Sequence, residues 1–205
     1  MLHNFSVDLA HSFYAGKEHT NDDIEIYAYG LEVFLATALQ LVTFLTLGLI
    51  LGQALTTVAF LIGFIPLRSV AGGYHAQTHL RCFLGFALIY TLFLGMLQIV
   101  PLNLSAWMAI SFVALSAIAV LALAPLSDKN RPIGPKRRKV FRRQSLQRFL
   151  ICAALIVALS TASLLGIAIP QQVVLALSIG QLAAAGSLVA AKLKTLYTTR
   201  RMQAI

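Results

Sequence analysis

One short segment of this chain brings together the residue types that thiol chemistry needs. It holds Cys82, one of only two cysteines, together with His75 and His79. A thiol becomes an effective nucleophile when a neighbouring imidazole or cation favours its thiolate form. Gly72 and Gly73 come just before, and a glycine pair allows backbone angles closed to other residues and can leave N–H groups free for a developing oxyanion. The segment is therefore typical of Cys–His catalysis.

The spacing leaves open which histidine acts as the base. On one straight helix, His75 and Cys82 would share a face but lie about 10 Å apart along the axis, beyond the roughly 3 Å of a nucleophile–base contact. His79, three residues before Cys82, would be a direct helical neighbour. For His75 to act, the segment must bend and Cys82 must lie in the first turns of a helix capped by Thr78. The positive end of that helix would also favour a thiolate.

The same residues allow non-catalytic interpretations. Arg68 and Arg81 could serve only as charged anchors, and an interfacial His and Cys could simply pack. A metal site built from the two histidines and Cys82 lacks a fourth ligand, so we expect no metal and no other cofactor. Cys152 is expected to be inert, and a disulfide with Cys82 is not expected for a thiol facing a reducing compartment.

The elements that must position this segment are apolar helices. Hydrophobic residues make up 59% of the 205 residues and charged residues 11%, whereas average globular domains are about one quarter charged. A soluble domain of this size would leave too much of that apolar surface in water. Because six apolar runs approach the roughly 20 residues that cross a bilayer, we predict an all-α polytopic integral membrane protein with six transmembrane helices. The runs are Val33–Leu51, Ala54–Ala71, Phe83–Ile99, Leu104–Leu123, Phe149–Ile169 and Val173–Ala191.

The net charge of +9 first suggests a nucleic-acid partner, but the positions of the charges argue against one. Every Lys and Arg falls before the first run, around the connection between the second and third, between the fourth and fifth, or after the sixth. By the positive-inside rule that face is cytoplasmic. An even number of spans then makes both termini cytoplasmic, and the basic loop is expected to touch anionic membrane lipids.

We predict a single membrane domain over residues 1–205, with a re-entrant or bent catalytic segment between the second and third helices. Its parts are an N-terminal interfacial region (1–31), four spans (33–123) that include the catalytic segment (68–82), a basic cytoplasmic loop (124–148), two spans (149–191) and a cytoplasmic tail (192–205).

A six-helix transporter or membrane scaffold, with the His/Cys segment as a regulatory or packing feature, is the alternative from another functional class. Transporters bury ionisable residues near the membrane midplane. These spans hold no charge there, only Gln40, Gln98, Gln181 and scattered Ser and Thr, which favours an enzyme. The spacing of Gly180 and Ala184 permits close helix packing, including a homodimer.

A longer motif surrounds the Cys and His residues: Arg68-Ser-Val-Ala-Gly72-Gly73-Tyr-His75-Ala76, then Cys82. This motif resembles the signature of the accessory gene regulator B (AgrB) family, integral membrane cysteine endopeptidases that process a quorum-sensing propeptide. The stretch 29–32 resembles the sequence before the family's first span. The stretch 129–133 resembles its basic loop, with Arg131 where Lys is usual.

The resemblance implies that Cys82 is the nucleophile and His75 its base, with His79 outside the motif. Arg68 and the pair Gly72–Gly73 would orient the site or support the oxyanion. In the implied reaction the thiolate attacks one peptide bond of an AgrD-like propeptide, releases its C-terminal tail and leaves a thioester. An internal Cys or Ser of the substrate then closes a thiolactone or lactone ring.

The family's substrates also resemble one another in carrying an acidic C-terminal tail, which adds a role to the basic loop. Its cations would raise the local concentration of such a tail in a salt-dependent way. The predicted substrate-binding residues are Lys129, Arg131, Lys136, Arg137, Arg138 and Lys139. The resemblance further implies a multi-pass protein of the bacterial cell membrane with its active site on the cytoplasmic side.

Overall fold

A computed structural model describes residues 21–73, 78–126 and 134–203. Within these ranges all regular secondary structure is α-helical, and six helices are long and apolar enough to cross a membrane. This confirms the predicted all-α class and the six helices that could span a membrane, whereas the re-entrant or bent catalytic segment stays a prediction. The helices are α1 (Asn21–Ile50), α2 (Ala54–Ala71), α3 (His79–Ile99), α4 (Leu102–Leu123), α5 (Pro135–Leu164) and α6 (Gln171–Gln203).

The chain divides into two compact units, residues 1–52 and residues 53–205. The described part of the first unit is α1, whose buried apolar side chains are Ala28 and Phe44 while most of its large apolar residues are exposed. Such a surface suits a helix surrounded by hydrocarbon. The assignment of residues 1–205 to one membrane domain stays a prediction, and residues 1–20 of the proposed interfacial region lie outside the described residues.

In the second unit α6 is the central helix, and it packs most extensively against α2 and α4. Small residues let its backbone approach α2 closely: Gly180 faces the Phe60 carbonyl, and Gly63 of α2 faces the Leu177 carbonyl. Gly180 and Ala184, whose spacing permits a homodimer, are both buried within this chain. Close packing at these residues is therefore used inside the protomer, and they are not exposed to a second copy.

The close contact between α2 and α6 predicts opposite effects of two glycine substitutions. In Gly180→Ala the added Cβ would meet the Phe60 carbonyl, which belongs to helix backbone and cannot easily retreat. We expect a loss of about 1–3 kcal/mol, seen as a lower thermal unfolding temperature in detergent. The control is Gly95→Ala, because a Cβ at Gly95 has nothing within 4 Å, and it should stabilise slightly. Equal losses in both variants would contradict the close contact.

Contacts at the helix ends show an up-and-down arrangement. Gln171, at the start of α6, makes 3.0 Å hydrogen bonds to Ser105 near the start of α4 and to Ser163 near the end of α5. At the opposite end Arg148 of α5 reaches the last turns of α2, and the segment after α4 meets the end of α2. Helices α2, α4 and α6 thus run in one direction and α5 in the other.

The described cations of the second unit collect at the end where α2 and α4 finish. They are Arg68, Arg81, Lys136, Arg137, Arg138, Lys139, Arg142, Arg143, Arg148, Lys192, Lys194, Arg200 and Arg201. The opposite end, formed by the starts of α2, α4 and α6, carries none among the described residues. The cytoplasmic assignment of the basic end, and with it of both termini, stays a prediction.

Helix α5 departs from the predicted boundaries at its start. The sequence predicts a loop up to residue 148, whereas the helix begins at Pro135. Proline is favoured at a first helical position, because its missing N–H has no partner there and its ring presets the helical φ angle. The Lys, Arg, Gln and Leu residues that follow are good helix formers. The basic stretch from Lys136 onward is therefore a helical extension of the fifth span.

The predicted end of the fifth span, at Ile169, is also wrong. The helix stops at Leu164 because Gly166 adopts a left-handed conformation with φ 87°. The N–H groups of Gly166 and Ile167 bond back to the carbonyls of Ser163 and Ala162, each at 3.1 Å. This pair of bonds is a Schellman motif, which satisfies the last helical carbonyls.

Helix α6 departs from the prediction in the opposite sense. It continues to Gln203, through most of the stretch 192–205 predicted as a cytoplasmic tail. Lys, Leu and Arg in this stretch are good helix formers, and Arg200 and Arg201 lie in the last turn, where cations complement the helix dipole.

Candidate functional site

The glycine pair of the Cys–His segment ends α2. Gly72 and Gly73 have φ angles of 81° and 131°, which confirms the predicted use of backbone angles closed to other residues. A Cβ at Gly72 would lie 2.5 Å from the Leu126 carbonyl oxygen, and the Leu126 N–H donates to the Ala71 carbonyl at 3.0 Å. The segment after α4 is therefore docked onto the end of α2, with no space for a side chain at position 72.

The Arg68 side chain lies against this glycine pair. A Cβ built on Gly73 would be 2.7 Å from Nη1 of Arg68 and 2.5 Å from Oγ of Ser187 on α6. Arg68 is half-buried, and Ser187 is held by a 2.6 Å bond to the Ala184 carbonyl. The guanidinium thus lies beside the backbone of the Cys–His segment. A residue that only anchored the helix in the membrane would not need this position.

Cys82 lies in the first turn of α3, and its side chain is exposed. Thr78 caps this helix: its Oγ1 accepts a 3.3 Å hydrogen bond from the Arg81 N–H, and its carbonyl accepts the Cys82 N–H at 3.1 Å. The predicted N-cap and the predicted place of Cys82 are confirmed.

An aromatic cluster sets the relative height of α2 and α3. Phe60 of α2 stacks on Phe93 of α3 with ring centroids 4.5 Å apart. Phe64 of α2 meets Phe86 of α3 edge to face, with centroids 5.2 Å apart. Because the later residue of α2 contacts the earlier residue of α3, the two helices are antiparallel.

Two of the predicted site residues lie beyond this pairing, on the same side of it. Arg68 lies one turn beyond Phe64 on α2, and Cys82 lies one turn before Phe86 on α3. The structure thus places Cys82, Arg68 and the glycine pair at one end of the helix pair α2–α3.

The two candidate bases are described incompletely. His75 lies in the stretch 74–77, outside the described residues, and of His79 only its place as the first residue of α3 is described. The chain reverses direction between α2 and α3, so the separation of about 10 Å expected on one straight helix no longer argues against His75. Which histidine acts stays a prediction.

The predicted substrate-binding cations divide into two groups. The group Lys136–Lys139 lies exposed in the first turns of α5, whereas Lys129 and Arg131 fall in the stretch 127–133, outside the described residues. The sequence after Glu32 holds a single acidic residue, Asp128. Asp128 lies outside the described residues, so the described part of the second unit contains no Asp or Glu.

Sequence reasoning did not single out Arg148, which joins α5 to the end of α2. Its Nη1 donates to the Pro66 carbonyl at 3.0 Å and to the Ser69 Oγ at 2.7 Å. The Ser69 hydroxyl in turn donates to the Pro66 carbonyl at 3.0 Å. In the sequence Arg148 is one more cation before an apolar run, and no local pattern indicates a contact with a residue 79 positions earlier.

The described residues offer no evident place for a metal ion. Within residues 21–73, 78–126 and 134–203, no group of three or more His, Cys, Asp or Glu side chains could hold one. Cys82 and Cys152 are both free thiols, and Cys152 lies half-buried within α5.

Comparison with known proteins decides the family. The family model for accessory gene regulator B matches residues 6–188, which is most of the chain. The chain belongs to the accessory gene regulator B family. AgrB proteins are involved in quorum-sensing signal processing, in which the family acts with an AgrD propeptide. The resemblance inferred from the Arg, Gly-Gly, His and Cys motif is thereby confirmed.

Individual AgrB relatives are distant. The chain is 26% identical over 145 residues to an AgrB-like protein of Clostridium perfringens, covering 68% of this chain and 67% of that protein. It is 27% identical over 122 residues to accessory gene regulator protein B of Staphylococcus intermedius, covering 60% and 64% respectively. It is 29% identical over 139 residues to protein FsrB of Enterococcus faecalis, covering 67% and 57%. The matches thus span 57 to 67% of these relatives' lengths. No solved structure matches the chain significantly.

Proposed function

We propose that this AgrB-family chain is a membrane cysteine endopeptidase and cyclising acyltransferase. Its substrate is an AgrD-like quorum-sensing propeptide, from which it releases the C-terminal tail before a thiolactone or lactone ring closes. The observation that carries the proposal is the position of Cys82. Its exposed thiol lies in the first turn of the capped helix α3, at the same end of the helix pair α2–α3 as Arg68 and the Gly72–Gly73 end of α2.

Two acyl transfers account for the reaction. In the first, His75 takes the proton of the Cys82 thiol, and the thiolate attacks the carbonyl carbon of one propeptide peptide bond. The C–N bond breaks, His75 returns the proton to the leaving amine, and the amino-terminal part of the propeptide remains as a thioester on Cys82. In the second, an internal thiol or hydroxyl of the substrate loses its proton and attacks that thioester. The ring closes and Cys82 leaves as a thiol.

Arg68 and the glycine pair support the tetrahedral intermediates of both steps. Each attack places negative charge on the former carbonyl oxygen, and a positive group held in place beforehand stabilises that charge most effectively. The guanidinium of Arg68 lies beside Gly73, next to Ser187, at the end of the helix pair where α3 begins with the turn that carries Cys82. Its role is therefore to face the oxyanion or to orient the substrate carbonyl.

The surroundings of Cys82 suit ring closure better than hydrolysis. Transfer from a thioester to another thiol is nearly neutral in energy, whereas hydrolysis is strongly downhill, so water must be kept from the acyl-enzyme. Leu80 and Leu84, on either side of Cys82, are 67% and 56% exposed, and hydrocarbon would cover them in a bilayer. Holding the substrate nucleophile near the thioester then replaces a bimolecular encounter.

The location follows from the charge. By the positive-inside rule the basic end of the second unit, and with it Cys82, lies on the cytoplasmic side of a bacterial cell membrane. There the cations contact anionic lipid headgroups, and those at the start of α5 bind the acidic tail of the substrate.

Capture of that tail by the start of α5 predicts a salt-dependent defect. Changing Lys136, Arg137, Arg138 and Lys139 together to glutamine should raise KM for the full propeptide about tenfold at low salt, with little change at high salt. The rate of acyl transfer to a peptide that ends soon after the cleavage point should stay the same. In the control, glutamine replaces Lys192, Arg200 and Arg201, exposed cations of the same end on α6. An equal KM increase in the control would contradict a specific tail site.

Trapping the acyl-enzyme tests the proposed function directly. The purified protein is incubated in vesicles with an AgrD-like propeptide whose internal Cys or Ser is replaced by alanine, so that the ring cannot close. We expect the mass of the protein to increase by the mass of the amino-terminal part of the propeptide, with the adduct on the proteolytic peptide that contains Cys82. Release of the tail without any such adduct would overturn the proposal.

A further inference from the structure

We infer that Arg148 is a positioning residue for the chemistry of Cys82, because it ties the tail-binding helix α5 to the end of α2 that carries Arg68 and the glycine pair. The inference rests on the proposed function. Arg148 itself touches no reacting atom. It acts through the last turns of α2.

Those last turns have a reason to need an external support. Pro66 lies inside α2 and supplies no N–H, so one hydrogen bond of the helical ladder is missing just before the end of the helix. The Pro66 carbonyl accepts hydrogen bonds from Ser69 Oγ and from Arg148 Nη1, each at 3.0 Å. Arg148 also bonds Ser69 Oγ at 2.7 Å. The three groups close a small network, and hydrogen bonds from a charged donor are stronger than neutral ones.

This network is adjacent in the chain to the residues of the site. Ser69 directly follows Arg68, whose guanidinium lies beside Gly73. A change in the backbone at Ser69 therefore moves the Arg68 side chain relative to Cys82. Misplacement of a catalytic group by about 1 Å can slow a reaction by up to about a hundredfold.

Arg148 also connects the site with the proposed place of tail capture. It shares α5 with Lys136–Lys139, and it lies nine positions after Lys139, which is about 14 Å along a helix. Two other elements contact the end of α2: Leu126 through a hydrogen bond to Ala71, and Ser187 by lying close to Gly73. Of the three contacts, only that of Arg148 comes from the helix that would bind the substrate tail.

The first experiment measures the single-turnover rate of Cys82 acylation in vesicles. Arg148→Ala should lower the rate constant about tenfold while KM for the tail-bearing propeptide changes less than twofold. Arg148→Lys, which keeps a charged donor, should recover part of the rate. The double variant Arg148→Ala/Ser69→Ala should be no slower than Arg148→Ala alone, because both changes remove the same network.

Matched controls distinguish the loss of this network from the general effect of removing a positive charge or a hydroxyl. Arg200→Ala removes an exposed arginine of the same end, and Ser111→Ala removes a hydroxyl that bonds a carbonyl within its own helix, at 2.9 Å to Trp107. Both should keep the wild-type rate. An equal slowing in Arg200→Ala would overturn the inference, as would additive effects of Arg148→Ala and Ser69→Ala.

A second measurement does not depend on catalysis. In a Cys82→Ala background, hydrogen exchange should be faster in the peptide covering residues 66–73 when Arg148 is replaced by alanine, and unchanged in the peptide covering residues 102–123. Unchanged exchange at residues 66–73 would overturn the inference. If the unmodified protein forms no adduct on Cys82, the proposed function fails separately, whatever this exchange shows.

Discussion

Cys82→Ala is expected to abolish release of the propeptide tail, with a rate reduced by on the order of 10⁴-fold or more. The thiol supplies the atom that forms the thioester, and alanine leaves nothing that can attack the peptide bond in its place. The measurement is the appearance of the free tail peptide, followed by mass spectrometry in vesicles or in cells that produce both proteins.

The other cysteine gives the matched control for this substitution. Cys152 is a free thiol, half-buried within the membrane-spanning part of α5, and Cys152→Ala should cleave at the wild-type rate. Cys82→Ser should form ester rather than thioester adducts and release the tail far more slowly, because an unactivated hydroxyl is a much weaker nucleophile. Wild-type cleavage by Cys82→Ala would show that the nucleophile has been assigned wrongly.

The second large effect concerns the base. His75→Ala is expected to lower the rate of acylation by about 10²–10⁴-fold, the usual range for loss of general acid–base catalysis, whereas His79→Ala should cleave within a few-fold of wild type. His75 lies on the stretch between the two helices, and His79 begins α3 only three residues before Cys82. The same tail-release assay distinguishes the two variants.

A pH profile adds a readout that misfolding would not produce. If His75 is the base, the activity that remains in His75→Ala should rise with pH, because hydroxide and the spontaneous thiolate then replace the missing imidazole. In His79→Ala the profile should keep its wild-type shape. The opposite pattern, with loss in His79→Ala and activity in His75→Ala, would transfer the role of base to the helical neighbour.

Local chemistry made several parts of this protein predictable from the sequence. Apolar runs bounded by Gly and Pro predicted six spans, and the second of them, Ala54–Ala71, matches α2 at both ends. Thr78 predicted the start of α3, because a Thr that can accept a backbone N–H ahead of an apolar run is a strong helix-start pattern. The positive φ angles of the glycine pair were also predictable from the sequence. Like the cap at Thr78, these angles depend on residue types within one helical turn.

Predictions failed where the local pattern was ambiguous. Ile167–Ile169 are apolar and extend the fifth run, yet Gly166 ends α5 before them. The stretch after Pro135 is strongly basic, which predicts a loop, yet its residues favour a helix. In both places the helix boundary follows the usual position of glycine just after a helix end or of proline at a helix start.

The supports of the site are a different case, since the sequence alone carries no pattern for them. Leu126, Arg148 and Ser187 reach the end of α2 from three later elements. Each is an ordinary residue of its own segment, and its contact arises only from the way the helices pack around α6. Tertiary packing of this kind has no local periodicity to detect.

The order of synthesis gives these three contacts a further consequence. A ribosome completes the Cys82 segment long before it adds Leu126, Arg148 and Ser187, and chains fold in general from the N-terminus as they emerge. A nascent or truncated chain therefore carries its thiol beside an α2 end that nothing yet holds in place. The proposed active site would be complete only once the sixth helix has been inserted, so that incomplete copies in the membrane do not consume the propeptide.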